Sequence, residues 1–233
     1  MKKLRVHVLQ HSDGTPPGTV VDWLKARGHD FKVVQLHKGD ALPMVGETDW
    51  LIVLGGAMNL DDVAQFPFLT AEKGFLREAL GARKTCLGLC LGGQMLAQIL
   101  GGQVKKHAHW EVGWHAVHLG TGPDSRLMVF QWHEDTFDIP PGGVLVAANS
   151  ITPNQAFAYG ENIIGVQFHP EATEEWVREC AADKDYPTGP HVQAADQVLE
   201  GLVFLVPMKK WFFTLLERME AVAVRNSSRA DTR

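Results

Sequence analysis

Cys90 stands in the run Gly88-Leu89-Cys90-Leu91-Gly92, directly after the apolar stretch Thr85 to Leu89 and directly before a segment of helical spacing that stops at Gly101-Gly102. A cysteine at a strand-to-helix turn projects above its sheet. It has the positive end of a helix beside its sulfur and backbone N–H groups within reach. Gly88 and Gly92 permit the crowded turn, in the manner of the G-x-S-x-G elbow of hydrolases with cysteine in place of serine. Read alone, the same pattern also describes a buried structural cysteine next to a glycine turn. A thiol nucleophile further needs a base that takes its proton and later protonates the leaving amine, and a histidine oriented by a carboxylate does both. Phe168-His169-Pro170-Glu171 supplies that couple just past another apolar run, with Pro170 stiffening the turn. The alternative there is a capped strand end with a solvated Glu171. Two such motifs at predicted strand ends of one chain favour chemistry over both structural alternatives. The expected reaction is acyl transfer through a thioester on Cys90, with His169 as general acid/base and Glu171 as its partner.

Other residues compete for attention. His107, His109, His115, His118 and His133 invite a metal site, because a His-x-His pair on one strand shares a face. No zinc-binding spacing accompanies them, so they are expected as surface or site-rim groups and no metal is expected. Trp132, His133, Glu134, Asp135 and Asp138 lie together and suit either a separate acid/base site or the substrate side of the first. Cys86 falls inside a strand and Cys180 on a late helix, and neither has a base close in sequence. The loop His11 to Gly18 lacks the glycine spacing of a phosphate cradle and is expected near the rim of the site.

The elements that must position these groups follow an α/β grammar. Strands are predicted over Leu4 to Leu9, Phe31 to Leu36, Trp50 to Leu54 and Thr85 to Leu89, and helices over Thr19 to Arg27, Phe68 to Leu80 and Gly93 to Leu100. This alternation implies a mostly parallel sheet with helices on both faces and ligands beyond the carboxyl ends of the strands, where Gly55-Gly56 and Cys90 both fall. From Val112 the pattern changes to short strands at Trp114 to His118, Leu127 to Phe130, Val144 to Ala148, Gln155 to Tyr159 and Ile163 to Phe168. An antiparallel extension of the sheet is expected, since a turn as short as Tyr159 to Asn162 joins only antiparallel neighbours. Thr173 to Ala182 and Val192 to Val224 read as helical, with a break or kink at Pro207. Residues 1–225 are expected to form one domain, and 226–233 a frayed polar tail.

Composition narrows the partners. The 233 residues carry a formal charge of -5, which offers no broad basic footprint for nucleic acid or an anionic membrane. The stretch Leu202 to Met208 is far short of the roughly 20 apolar residues of a membrane span, and Met1 to Gln10 is too short for a secretory signal. A cytoplasmic protein with a small soluble substrate is expected. Three cysteines without a C-x-x-C pair suggest neither a disulfide framework nor a zinc site. Met208, Trp211, Phe212, Leu215, Leu216 and Met219 form a stripe at helical spacing, expected to pack on the core and otherwise suited to a homodimer contact.

Leu54-Gly-Gly-Ala-Met58, Gly88-Leu-Cys-Leu-Gly-Gly-Gln94 and Phe168-His-Pro-Glu171 resemble the three signatures of class I glutamine amidotransferases, over roughly Leu4 to Trp176. Glu111-Val-Gly-Trp114 and Trp132-His-Glu-Asp-Thr-Phe137 bring the resemblance nearest to stand-alone proteins similar to the amidotransferase domain of GMP synthase. The resemblance implies a flavodoxin-like, three-layer mixed sheet, glutamine as substrate and no cofactor. It makes the backbone N–H groups of Gly56 and Leu91 the oxyanion hole, and Gln94 with Trp132, His133 and Glu134 the holders of the γ-glutamyl group. Ala57 stands where many members have proline, which implies a less rigid or differently set loop around Gly56. About 60 residues follow Glu171 and contain no synthetase-like core. Either a separate synthetase subunit receives the ammonia, or the protein hydrolyses a γ-glutamyl peptide or amine outright. A non-catalytic module that kept the fold would be expected to have lost Cys90, His169 or Glu171. A stress-response thiol protein would have histidine where Leu91 stands.

Overall fold

The computed structural model describes residues 2–120 and 125–230, with side chains through 228. Its first half is a run of βα units: β1 (Arg5–Gln10), α1 (Thr19–Arg27), β2 (Asp30–Gln35), β3 (Trp50–Val53), α2 (Phe68–Gly81), β4 (Thr85–Leu89) and α3 (Leu91–Ile99). Along the strands, successive side chains enter opposite layers. Val6, Val8, Trp50, Ile52, Leu87 and Leu89 pack with Val20, Trp23 and Leu24 of α1. Leu9, Leu51, Val53 and Cys86 pack with Leu69 and Leu76 of α2 and Met95 and Leu96 of α3. The period-2 pleat thus divides the apolar runs between two helical layers, which is why β3 and β4 are buried along their whole length.

The second half supplies β5 (Val104–Leu119), β6 (Arg126–Phe137), β7 (Val144–Ala148), β8 (Ala156–Tyr159) and β9 (Ile163–Val166), followed by α4 (Glu174–Ala181), α5 (Ala195–Glu200) and α6 (Leu205–Ala230). The nine strands form one sheet in the order β2-β1-β3-β4-β9-β8-β7-β5-β6. Pairing is parallel from β2 to β9 and antiparallel from β9 to β6. The mixed α/β, three-layer expectation holds.

Three expectations need correction. β5 and β6 are much longer than their apolar cores suggest, with a register shift between Lys106 and Glu111. The outer end of β5, from Lys105 to His109, is largely exposed and carries no apolar alternation, so only the backbone ladder marks it as strand. The break in the late helical segment falls at the 3-10 turn Gly201–Phe204, not at Pro207. Pro207 lies in the first turn of α6, where an N–H has no intrahelical acceptor and proline is tolerated. Residues 226–230, expected as tail, continue α6, while 231–233 lie outside the described residues. The stripe Met208, Phe212, Leu216 and Met219 is buried in the layer that also holds α1.

Candidate active site

Cys90 is the N-cap of α3, with φ 50° and ψ -109°, a left-handed conformation that costs a non-glycine residue on the order of 1–3 kcal/mol. The surroundings hold it there. Its N–H donates to Val166 O at 2.8 Å, and its carbonyl accepts from Gln94 N at 2.9 Å, closing the first turn of α3. A Cβ on Gly92 would lie 2.1 Å from Val53 O, so the helix can start this close to β3 only with glycine there. The elbow expected from the sequence is present.

His169 follows β9, the parallel neighbour of β4, and therefore arrives beside Cys90. Its Nδ1 pairs with Glu171 Oε1 at 2.9 Å, which leaves Nε2 as the ring nitrogen free to serve Cys90, a neighbour close enough to act on the imidazole's charge. Burial opposes a charged imidazole here. The Glu171 carboxylate and the Cys90 sulfur outweigh it and push the His169 pKa up to about 10. Trp176 of α4 packs edge-on against the His169 ring, with centroids 4.9 Å apart at 71°. The Trp176 indole N–H donates to Gly14 O at 2.8 Å. Glu171 is itself tied down, for its carbonyl accepts from Thr19 N at 2.9 Å at the start of α1.

These groups open on a cavity of about 290 Å³. Of the residues expected in the site, Cys90, His169, Gly56, Gln94, Trp132, His133 and Glu134 line it. Glu171 and Leu91 sit behind its wall and are buried. Leu91 is the first residue of α3, so its N–H is among those a helix leaves without an internal acceptor. Gly56 abuts it: a Cβ there would lie 2.6 Å from Leu91 Cδ2. Gly55 is required for space as well, since its Cβ would lie 2.9 Å from His169 Cε1.

The substrate-side residues divide. Trp132 packs edge-on against Tyr186, and Glu134 pairs with Lys106 at 3.0 Å. Gln94 Nε2 donates to Asp135 O at 3.2 Å and to Gln167 Oε1 at 3.4 Å. His133 lines the cavity with both ring nitrogens engaged, Nδ1 by Asp135 O at 2.9 Å and Nε2 by Glu111 Oε2 at 3.2 Å. It can shape the wall but has no free ring nitrogen for a ligand.

Sequence reasoning missed Gln167, Trp176, and the buried couple His11 and Glu72. Gln167 is fully buried and points its amide at Cys90 Sγ, 3.7 Å away. Its position two residues before His169, on the same face of an extended segment, was the available signal. Ser12, Gly14 and Thr15 line the cavity, as expected for the rim loop. Cys86 is buried in β4, and burial pushes its thiol up to about 12. Cys180 lies on the cavity wall, where burial and the nearby Asp183 and Glu179 charges likewise raise it to about 12.

An open α/β sheet with a cysteine elbow at the end of one strand and a histidine–carboxylate couple at the end of the next defines the class: an α/β protein of the cysteine-elbow type. The chain belongs to the class I glutamine amidotransferase family, whose model matches residues 18–177. It is 28% identical over 187 residues to the glutamine amidotransferase-like protein YfeJ of Salmonella typhimurium, covering 75% of this chain and 78% of that one. A glutamine-hydrolyzing GMP synthase subunit from Saccharolobus solfataricus is 31% identical over 156 residues, 64% of this chain and 79% of that one. A glutamine amidotransferase crystal structure from Methylobacillus flagellatus superposes with a TM-score of 0.88 at 29% identity, over 94% of this chain and 95% of that one. Another from Thermotoga maritima gives 0.85 at 30%, over 94% and 99%.

Proposed function

We propose that this protein is a cysteine hydrolase that cleaves the γ-glutamyl amide of glutamine. The observation that carries the reading is the placement of Cys90 and the hydrogen-bonded His169–Glu171 couple on one cavity at adjacent carboxyl ends of β4 and β9. In this reading His169 already holds the proton it shares with Cys90, and the Cys90 sulfur attacks the γ-carbonyl carbon beside the protonated imidazole. The tetrahedral oxyanion forms toward the N–H groups of Gly56 and Leu91, donors whose loss typically costs a few kcal/mol of barrier. His169 then protonates the leaving amine, the C–N bond breaks, and a γ-glutamyl thioester remains on Cys90. Water, deprotonated by His169, hydrolyses that thioester to glutamate and restores the thiol. Glu171 keeps the imidazole oriented and offsets its positive charge. Gln94, Trp132 and Glu134 face the γ-glutamyl moiety, and His133 holds the wall behind it.

The fate of the ammonia separates two versions of this function. A separate synthetase subunit fits the name of the Saccharolobus relative, which is one subunit of its GMP synthase. In the other version the protein hydrolyses a γ-glutamyl peptide or amine directly, and the leaving group departs through the cavity that Cys90 and His169 line. Released glutamate from glutamine and from a panel of γ-glutamyl peptides and amines, with Cys90→Ala and His169→Ala beside the wild type, tests both. Turnover of one non-glutamine compound, lost in both variants, selects the hydrolase. No turnover of any compound, with Cys90 still labelled by an electrophilic glutamine analogue, selects the partner-dependent enzyme. No labelling defeats the enzyme reading.

A further inference from the structure

His11 and Glu72 are fully buried, and the mechanism above uses neither. His11 follows β1 and Glu72 sits on α2, and they meet beneath the loop that follows β3. His11 Nδ1 lies 2.9 Å from Gly55 O, and Nε2 lies 3.0 Å from both Glu72 oxygens. Both neighbours offer acceptors to the ring, so the geometry is satisfied on both sides when both ring nitrogens carry protons. Burial opposes that charge and Glu72 outweighs it, raising the His11 pKa. A second donor, Thr15 Oγ1, reaches the same Gly55 oxygen at 3.1 Å.

The consequence follows from the planarity of one peptide. In a trans peptide the carbonyl of Gly55 and the N–H of Gly56 point in opposite directions, and none of the described peptides is cis. Two donors that hold the Gly55 oxygen toward His11 and Thr15 therefore hold the Gly56 N–H away from them. Hydrogen bonds to a carbonyl also polarise its amide and strengthen the N–H as a donor. Ala57 lacks the ring that would stiffen this loop, so its setting depends on such contacts.

We infer that the His11–Glu72 couple, with Thr15, is a positioning device that clamps the Gly55–Gly56 peptide so that the Gly56 N–H faces the oxyanion formed on the Cys90 acyl adduct. The inference rests on the hydrolase reading. His11 and Glu72 touch no reacting atom and act through Gly56.

The test compares reactions of Cys90 that do and do not form an oxyanion. Alkylation by iodoacetamide displaces iodide and needs no oxyanion donor, whereas γ-glutamyl transfer and binding of a γ-glutamyl aldehyde both form a tetrahedral oxygen anion. His11→Ala is expected to lower kcat roughly 10- to 100-fold, short of or equal to the loss of a whole donor. KM and the alkylation rate should stay within about threefold, and aldehyde affinity should fall in step with kcat/KM. His11→Asn, whose amide can still donate to Gly55 O, should recover part of the loss, and Glu72→Gln should lie between. Thr15→Val, which removes the second donor from a half-buried site, serves if His11 variants fail to fold, with an expected loss of about threefold. Equal losses in alkylation and hydrolysis, no loss in hydrolysis, or an Asn variant no better than Ala would overturn the clamp. If the wild type hydrolyses nothing and alkylates with iodoacetamide but is not labelled by the glutamine analogue, the hydrolase reading has failed. The Gly56 amide resonance then decides the clamp alone: a shifted, faster-exchanging N–H in Thr15→Val and His11→Ala supports it, and an unchanged one rejects it.

Discussion

Buried histidine–glutamate couples occur in both halves of the sheet, and they differ in what touches the second ring nitrogen. In the parallel half His169 pairs with Glu171 through one nitrogen and shares a cavity wall with Cys90, which leaves the other for the thiol. In the antiparallel half His133 pairs with Glu111 through one nitrogen and with a backbone carbonyl through the other. Glu111 in turn accepts from Asn149 and Gln155, and Gln155 from Gln131, all within or beside strands. The parallel half puts its polar groups beyond strand ends, where backbone donors are left over and a thiol can be reached. The antiparallel half buries them between strands, where every contact goes to another protein group. For these two couples the difference lies in the second neighbour, a thiol in one and a carbonyl in the other.

The largest effect that would sharpen this contrast is on Cys90 itself. Cys90→Ala removes the nucleophile and keeps the Cβ, so turnover should fall by about 10⁴-fold or more while the strained φ, and hence the melting temperature, changes little. A large drop in melting temperature would mean that the thiol is structural, and the comparison would collapse. Next comes Glu111→Ala in the antiparallel half. Removing one partner of a buried charged pair costs about 3–5 kcal/mol of stability. Burial tends to raise the Glu111 pKa, but His133 and the amide donors outweigh it and hold it below the usual 4.5. A carboxylate depressed in this way stabilises the fold above pH 4.5, and that contribution is lost as pH falls through the lower folded value. Denaturant unfolding at pH 7 and below pH 4 should show the gap between wild type and variant narrowing on acidification. Iodoacetamide labelling of Cys90, measured where the variant is folded, should be unchanged.

The parallel half was largely legible in the sequence because its central strands β3 and β4 are buried along their whole length and each is followed by glycine within a few residues. Thr19 to Arg27 and Thr85 to Leu89 come out at their predicted bounds. The turn at Cys90 was legible for a related reason, since a sharp strand-to-helix turn needs glycines beside it, and Gly92 has no room for a Cβ. The antiparallel half was only partly so. Its β5–β6 ribbon extends past any apolar alternation, and the pairing of Glu111 with His133 depends on a register that no local pattern encodes. His11, Glu72 and Trp176 were illegible as site-supporting residues for the same reason. Each acts through one contact across a long sequence separation, and a lone buried histidine or tryptophan looks like core.

A smaller effect is expected at Glu171. Glu171→Gln keeps the side-chain shape and removes the charge that, against the opposing effect of burial, raises the His169 pKa to about 10. The His169 titration followed by NMR should move down toward the ordinary 6.5, and kcat should fall roughly 10- to 100-fold. The sign for stability follows from a raised pKa: the protonated couple stabilises the wild type fully below pH 6.5 and loses that contribution as pH rises through about 10. The variant should lose it at lower pH. A titration that stays near 10 in Glu171→Gln would assign the shift to Cys90 instead, and would move the special second neighbour from the carboxylate to the sulfur.

The smallest effect distinguishes two ways in which the parallel half could be held together. Trp176 touches the site twice, packing against His169 and donating its indole N–H to Gly14 O in the rim loop. Trp176→Phe keeps an aromatic edge on the imidazole while removing the hydrogen bond and part of the indole's bulk, a loss of about 1 kcal/mol or more. For a chain of this size that lowers the melting temperature by about 2–4 °C. If the bond serves the loop, the cavity rim loosens and KM rises about two- to threefold while kcat holds, because binding is lost equally in ground and transition states. If the indole instead fixes the imidazole, the smaller ring lets His169 turn, and kcat falls with KM unchanged. Steady-state kinetics on one variant therefore decide whether α4 supports the base or the rim. The first outcome would leave Glu171 and Cys90 as the groups that orient His169, and the contrast with His133 would rest on them alone.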